Sequence, residues 1–214
     1  MFYHASPVKG LTQLEPRISN HGIPLVYFSR KRENVLVYLS NAVEKYCRET
    51  GFCHEGRWYK WGPYGFDKDG RMRLEKYYPD ALRLTYEGVS GWIYMSEAVE
   101  DCGVSLQIPD AVSSRIPVKV SGAEYVPDAY EAILKAEAEG SVRILRYDQI
   151  PEKMRERIEK IIREEYEGAA FHPEYRHFLK GRFFTYHSRL NDSVCRADSI
   201  KESFTPEILL AAGL

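Results

Sequence analysis

The chain of 214 residues carries 30 Lys+Arg against 31 Asp+Glu, a formal net charge of −1 with histidine neutral. That balance excludes a global electrostatic pull toward nucleic acid or an anionic membrane surface, so any such binding must be local. The length suits one domain with an appended helical segment. No apolar run approaches the ~20 residues of a membrane span and no charged leader precedes an apolar core, so cytoplasmic residence is the default expectation.

Met1-Phe2-Tyr3-His4-Ala5-Ser6 reads as a short strand ended by Pro7, whose missing N–H cannot continue a ladder, and His4 falls near its end. Ser19-Asn20-His21 before Gly22 is a polar turn, although His21 can line the same region. Leu25-Val26-Tyr27-Phe28 is a β-branched and aromatic run, a second and largely buried strand that Ser29 stops. From Arg30 to about Arg48, Val35, Leu39 and Val43 with Tyr46, and Leu36 with Cys47, recur at helical spacing. Ser29 is the expected N-cap of that helix and Gly51 its end. Tyr38 then lies about two turns in, at ~1.5 Å per residue, and its ring returns over the strand end that carries Tyr27.

The middle of the chain is rich in aromatics. Trp58, Tyr59, Trp61, Tyr64, Phe66 and Tyr77 are interleaved with glycine and proline, and Asp69-Gly70 predicts a hairpin corner. These rings read as core, or alternatively as a rim over a cleft. Gly91-Trp92-Ile93-Tyr94-Met95 is a strand, with Glu97 at its end on the face of Ile93 and Met95. Pro117–Val120 is another, and Gly122 reads as a bulge that re-aims Glu124. Pro127-Asp128-Ala129-Tyr130 opens a helix to Gly140, with the proline in its first turn. Ser141–Tyr147 alternates as a strand. Ile150-Pro151 starts a helix striped by Met154, Ile158, Ile161, Ile162 and Tyr166. The cysteines Cys47, Cys53, Cys102 and Cys195 are scattered, which favours free thiols. Neither Cys47, Cys53 and His54 nor His172 with His177 has a recognised metal spacing.

Taken in order, Tyr3-His4-Ala5-Ser6, Tyr27-Phe28-Ser29 and Tyr38 resemble the histidine-tyrosine-acid branch of the ADP-ribosyltransferase superfamily, typified by diphtheria toxin and the poly(ADP-ribose) polymerases. The small rifampicin-modifying transferases are compact relatives. The ten residues between the two tyrosines, 28–37, agree with the toxin-like spacing. The resemblance covers roughly residues 2–47, is loose to about 140 and ends there. It implies an α+β fold with a split, mostly antiparallel sheet around a cleft over residues 1–148, and a helical C-terminal extension packed on it over 149–214. NAD is then the substrate. His4, with Ser6 in the same motif, contacts ribose hydroxyls; Tyr27 and Tyr38 clasp the nicotinamide, and Ser29 supports the Tyr27 turn.

The chemistry explains those residue types. The nicotinamide ring of NAD is cationic, so two tyrosine faces hold it by stacking and cation–π attraction, roughly 0.5–2 kcal/mol per ring. Breaking its glycosidic bond develops an oxocarbenium-like ribose that calls for a carboxylate. Glu97 is the first choice. Asp101, following Glu100, and Glu124 are the alternatives. Each residue also has a plain reading: His4 as a hydrogen-bonded structural residue, Tyr27 as core, Ser29 as a cap, Glu97 as a solvated strand end. With 16 Tyr, chance pairs at any spacing are common.

The acceptor is unknown: protein, nucleic acid, a small molecule or water. Two further readings stand beside this one. Over residues 173–189, Arg176, Lys180, Arg182 and Arg189 alternate with Tyr175, Phe178, Phe183, Phe184 and Tyr186, a mixture suited to nucleic acid or to RNA 2′-phosphotransferase-like chemistry. Its plain reading is the docking of a terminal helix. A catalytically inactive NAD-fold binding module is the other.

Overall fold

The computed structural model describes residues 1–18, 22–54, 63–103 and 108–184. In chain order the strands are β1 (Phe2–Ser6), β2 (Gln13–Leu14), β3 (Arg17–Ile18), β4 (Pro24–Ser29), β5 (Tyr64–Phe66), β6 (Met72–Glu75), β7 (Gly91–Ser96), β8 (Ala111–Ser114), β9 (Val118–Lys119), β10 (Gly122–Val126) and β11 (Val142–Leu145). The α-helices are α1 (Ala42–Thr50), α2 (Ala81–Tyr86), α3 (Ala129–Ala138), α4 (Glu152–Gly168) and α5 (Pro173–Arg182), with 3-10 helices at Glu33–Leu39 and Tyr147–Gln149. The protein is mixed α+β with mostly antiparallel sheets. Among the described residues, no helix is long and apolar enough to cross a membrane.

The largest sheet runs β10-β7-β1-β4-β3, with β8 also paired to β4. β1 is laddered to β7 over its whole length, from Phe2↔Ser96 to Ser6↔Trp92, yet meets β4 at the single rung Tyr3↔Ser29. β4 also pairs with β8, from Val26↔Ser114 to Ser29↔Ala111, on the edge away from β1, since Ser29 is bridged to both. The sheet is therefore parted along the β1–β4 seam.

Alternation along the strands divides the core. Phe2, Phe28 and Tyr94 point to one side with Val26, Val112 and Val118. Ala5 and Ile93 point to the other, against Leu36, Leu39, Leu74 and Ile133. A third cluster joins α1, α4 and α5 through Cys47, Ile162, Phe178 and Leu179, with Tyr77 and Tyr78.

Several local expectations are corrected. The single helix expected from Arg30 to Arg48 is a 3-10 helix followed by α1, because the Asn41 side chain accepts the N–H groups of Val43 (3.2 Å) and Glu44 (3.3 Å) and restarts the chain after an extended Ser40. Ser29 does not cap it; its hydroxyl accepts the N–H of Lys31 at 3.0 Å. Pro127 lies outside α3, whose cap is Asp128, accepting from Tyr130 and Glu131. Gly122 is no bulge: it pairs with Met95 and starts β10. The Asp69-Gly70 corner does join β5 to β6, with Gly70 at φ 75°. Trp58, Tyr59, Trp61 and His21 lie outside the described residues, as do Tyr186 and Arg189.

α5 approaches α1 closely at Gly181, where a Cβ would collide with the Tyr46 ring. That ring lies 5.0 Å from His177 and 4.5 Å below the Arg182 guanidinium, so it has little freedom to withdraw. Gly181→Ala is expected to cost about 1–3 kcal/mol through overpacking, more than the ~0.5–1 kcal/mol that alanine gains in helix propensity. Urea unfolding should show a lower midpoint at an unchanged slope; an unchanged midpoint would mean that Tyr46 yields.

Candidate functional site

The seam gathers several of the residues singled out by sequence. His4 reaches across it, its Nδ1 2.8 Å from the carbonyl oxygen of Tyr27. A carbonyl only accepts, so Nδ1 is the donor. The imidazole also packs 5.8 Å from the Phe28 ring, inclined at 55°. Backbone polarity and an aromatic neighbour thus fix both tautomer and tilt.

Tyr38 comes from the 3-10 helix rather than from an α-helix two turns in. Its hydroxyl meets that of Tyr64 at 2.6 Å, with the rings edge-on at 6.2 Å. Tyr38 is 47% exposed as a whole residue. Desolvation of the phenol, then Tyr64, hold its pKa well above the ordinary phenol value. The 3-10 helix that carries Tyr38 packs against β1 and against β4, the strand of Tyr27. Tyr64, itself edge-on to Phe66 at 5.9 Å, belongs to the same group and was not singled out by sequence beyond its place in an aromatic stretch.

Ser29 is buried at the one β1–β4 rung. Ser6 stands at the opposite end of β1, where its hydroxyl accepts the Val8 N–H at 3.2 Å. Of the expected acids, Glu97 is exposed just beyond β7, three residues along from Tyr94, the partner of His4. That offset is about 10 Å of strand. Asp101 is exposed beside β8, its carboxylate accepting the Gly103 N–H at 3.1 Å. Glu124 sits on β10 opposite Ile93 and is clamped by Arg32, Nε at 2.9 Å and Nη2 at 2.5 Å.

A fourth carboxylate was missed. Asp110 immediately precedes β8, opposite Arg30, whose N–H donates to the Asp110 carbonyl at 2.8 Å. Its φ is 61°, a left-handed conformation unusual outside glycine, and Lys31 Nζ is 3.1 Å from its carboxylate. β8 is the strand paired directly with that of Tyr27, through Tyr27↔Ser113. Pro109-Asp110 ahead of a β-branched run was the available sequence signal, but it marks only a turn.

A cavity of about 260 Å³ lies elsewhere, lined by Arg32, Glu33, Glu124, Lys135 and Glu139 with two alanines of α3. Among the described residues, no group of three or more His, Cys, Asp or Glu side chains is arranged to hold a metal. Within 173–184 the bases engage the fold: Arg176 donates to the Tyr166 carbonyl at 3.0 Å and lies over its ring, and Arg182 pairs with Glu49 at 3.2 Å.

Two predictions follow from this geometry. His4→Ala removes a partly buried donor and is expected to destabilise the fold by about 1–3 kcal/mol in urea unfolding, with partial recovery in His4→Asn, whose amide can reach the same carbonyl. The hydrogen bonds from Arg32 hold the Glu124 carboxyl below its usual range, against the opposing effect of burial. A lowered folded-state pKa gives a contribution present above the unfolded value, about 4.3, and lost as the pH falls through the folded value. Arg32→Gln should therefore flatten the loss of stability below about pH 4; an unaltered acid limb would show that the clamp is not linked to folding.

Comparison with family models, with curated proteins and with solved structures gives no match.

Proposed function

We propose that the protein cleaves the bond between nicotinamide and ribose in NAD and passes ADP-ribose to an acceptor or to water. The observation that carries this reading is the His4–Tyr27 hydrogen bond at the β1–β4 seam, with the 3-10 helix that bears Tyr38 packed against both strands. In this reading His4 contacts a ribose hydroxyl, and Tyr27 and Tyr38 hold the cationic nicotinamide. The bond from C1′ to the ring nitrogen breaks, its electron pair leaves with neutral nicotinamide, and the ribosyl cation is met by a nucleophile that sheds a proton.

A carboxylate must face that developing charge. Glu97 and Asp110 both stand at the end of the sheet marked by the Tyr3↔Ser29 rung, on opposite sides of β1 and β4. Asp110 is supported by its adjacency to the Tyr27 strand and by its fixed left-handed backbone; Glu97 is supported by the order of motifs in the chain.

NAD at a hundredfold excess over its Kd should raise unfolding free energy by roughly 2.7 kcal/mol, and Tyr27→Ala should weaken that binding. Nicotinamide release from labelled NAD tests the chemistry. Asp110→Asn is expected to abolish release with NAD binding retained, and Glu97→Gln to leave it largely intact; the reverse pattern assigns the role to Glu97. No thermal shift with NAD and no release from the unmodified protein would remove the proposal altogether.

A further inference from the structure

A second chemical feature lies away from the seam. Lys76, directly after β6, is only 5% exposed. Its backbone N–H donates to the Leu145 carbonyl at 3.0 Å, which ties it to β11 and keeps it from swinging outward. Among the described residues its ammonium makes no hydrogen bond and no ion pair. What it faces is the Tyr86 ring, with Nζ 5.0 Å from the centroid. The adjacent Glu75 carboxylate is 3% exposed and engaged elsewhere, by Arg73 at 2.7 and 3.1 Å and by the Tyr77 hydroxyl.

An ammonium brings three N–H donors, and among the described residues no protein group accepts from them. Burial accordingly lowers the pKa of Lys76 to about 7, with the charge of Glu75 opposing the shift. A large share of the side chain is then free amine at neutral pH, the nucleophilic form. Lys76 lines a cavity of about 10 Å³ together with Pro63, Glu75, Tyr77, Tyr78 and Thr85. That is room for about one water-sized group.

We propose that Lys76 is a covalent capture site for a one-carbon aldehyde, held as a protonated imine in this niche. The amine lone pair attacks the carbonyl carbon to give a carbinolamine. The carbon–oxygen bond then breaks and the oxygen departs as water, with one proton from the nitrogen and one from solvent. A carbon–nitrogen double bond remains, bearing one N–H and one positive charge. That cation suits the niche better than ammonium does, because a single donor needs a partner and the charge is spread onto carbon. The Tyr86 face and the nearby Glu75 carboxylate stabilise it.

The test uses the whole folded protein with limiting formaldehyde and cyanoborohydride at neutral pH, with the modified lysines located by peptide mass spectrometry. Lys76 is expected to be methylated at least tenfold faster than Lys135 and Lys160, whose side chains are 77% exposed. Labelling of Lys76 no faster than those two overturns the proposal. The same preference in concentrated urea also overturns it, since the effect would then belong to the neighbouring sequence and not to the niche. Benzaldehyde should show no preference for Lys76; an equal preference would overturn the size limit.

Discussion

The hydrogen bond from His4 to the carbonyl of Tyr27 spans the seam between β1 and β4, two neighbouring strands that share one rung of pairing. Peptide groups that leave a ladder require other partners. β7 pairs with the far edge of β1 and β8 with the far edge of β4, while the facing edges of β1 and β4 share one rung, Tyr3↔Ser29. An imidazole can bridge the resulting gap because it carries a donor on a flat, stiff ring long enough to cross. Beside that crossing stand the Tyr27 carbonyl and the buried Ser29 at the single rung, while β8, with Asp110 at its head, is held on the far edge of β4. A tight ladder along β1 and β4 would leave no room for a side chain there.

Near-neutral overall charge conceals strong local pairing. Arg146 clamps Glu137 with both terminal nitrogens, at 2.6 and 2.5 Å, and so ties the segment after β11 to α3. Arg73 bridges Asp67 at 2.9 Å and Glu75 at 2.7 Å on the three-stranded sheet. Such two-pronged contacts fix geometry more than they add stability, since partial desolvation offsets much of the attraction. They help short strands, of two to six residues, to keep their register. The bases of α5 serve similarly, capping aromatic faces on α4 and α1.

Much of the architecture was legible in the sequence. The strands near Tyr3, Tyr27 and Ile93 follow from apolar runs bounded by proline and glycine, and the stripe of Ile158, Ile162 and Tyr166 marks α4, with all three residues buried. What failed was local competition. Val35, Leu36 and Leu39 fit a helical period, yet a side-chain cap at Asn41 broke the element in two, and periodicity carries no information about caps within a stripe. The candidate site was less legible for a related reason. Motif order marked His4, Tyr27 and Tyr38; the His4 ring reaches the Tyr27 carbonyl, while the Tyr38 hydroxyl meets that of Tyr64. Carboxylates are common surface residues, so their placement depends on strand pairing; β8 lies more than eighty residues from its partner β4, and only the pairing itself reveals Asp110 as a neighbour of Arg30.

The parallel pair of β6 and β11 has a consequence for how the chain acquires this structure. Val142 lies against Met72, seventy positions earlier (142 − 72 = 70), and the whole of β7 to α3 falls between them. Closing so long a loop costs entropy before any rung rewards it, and contacts of such sequence separation slow folding. During synthesis the hairpin of β5 and β6 emerges early with one side of β6 unpaired, and remains so until residue 145 clears the ribosome. For that interval the growing polypeptide exposes a naked strand edge, which makes this stretch the point where the nascent chain is most open to mispairing.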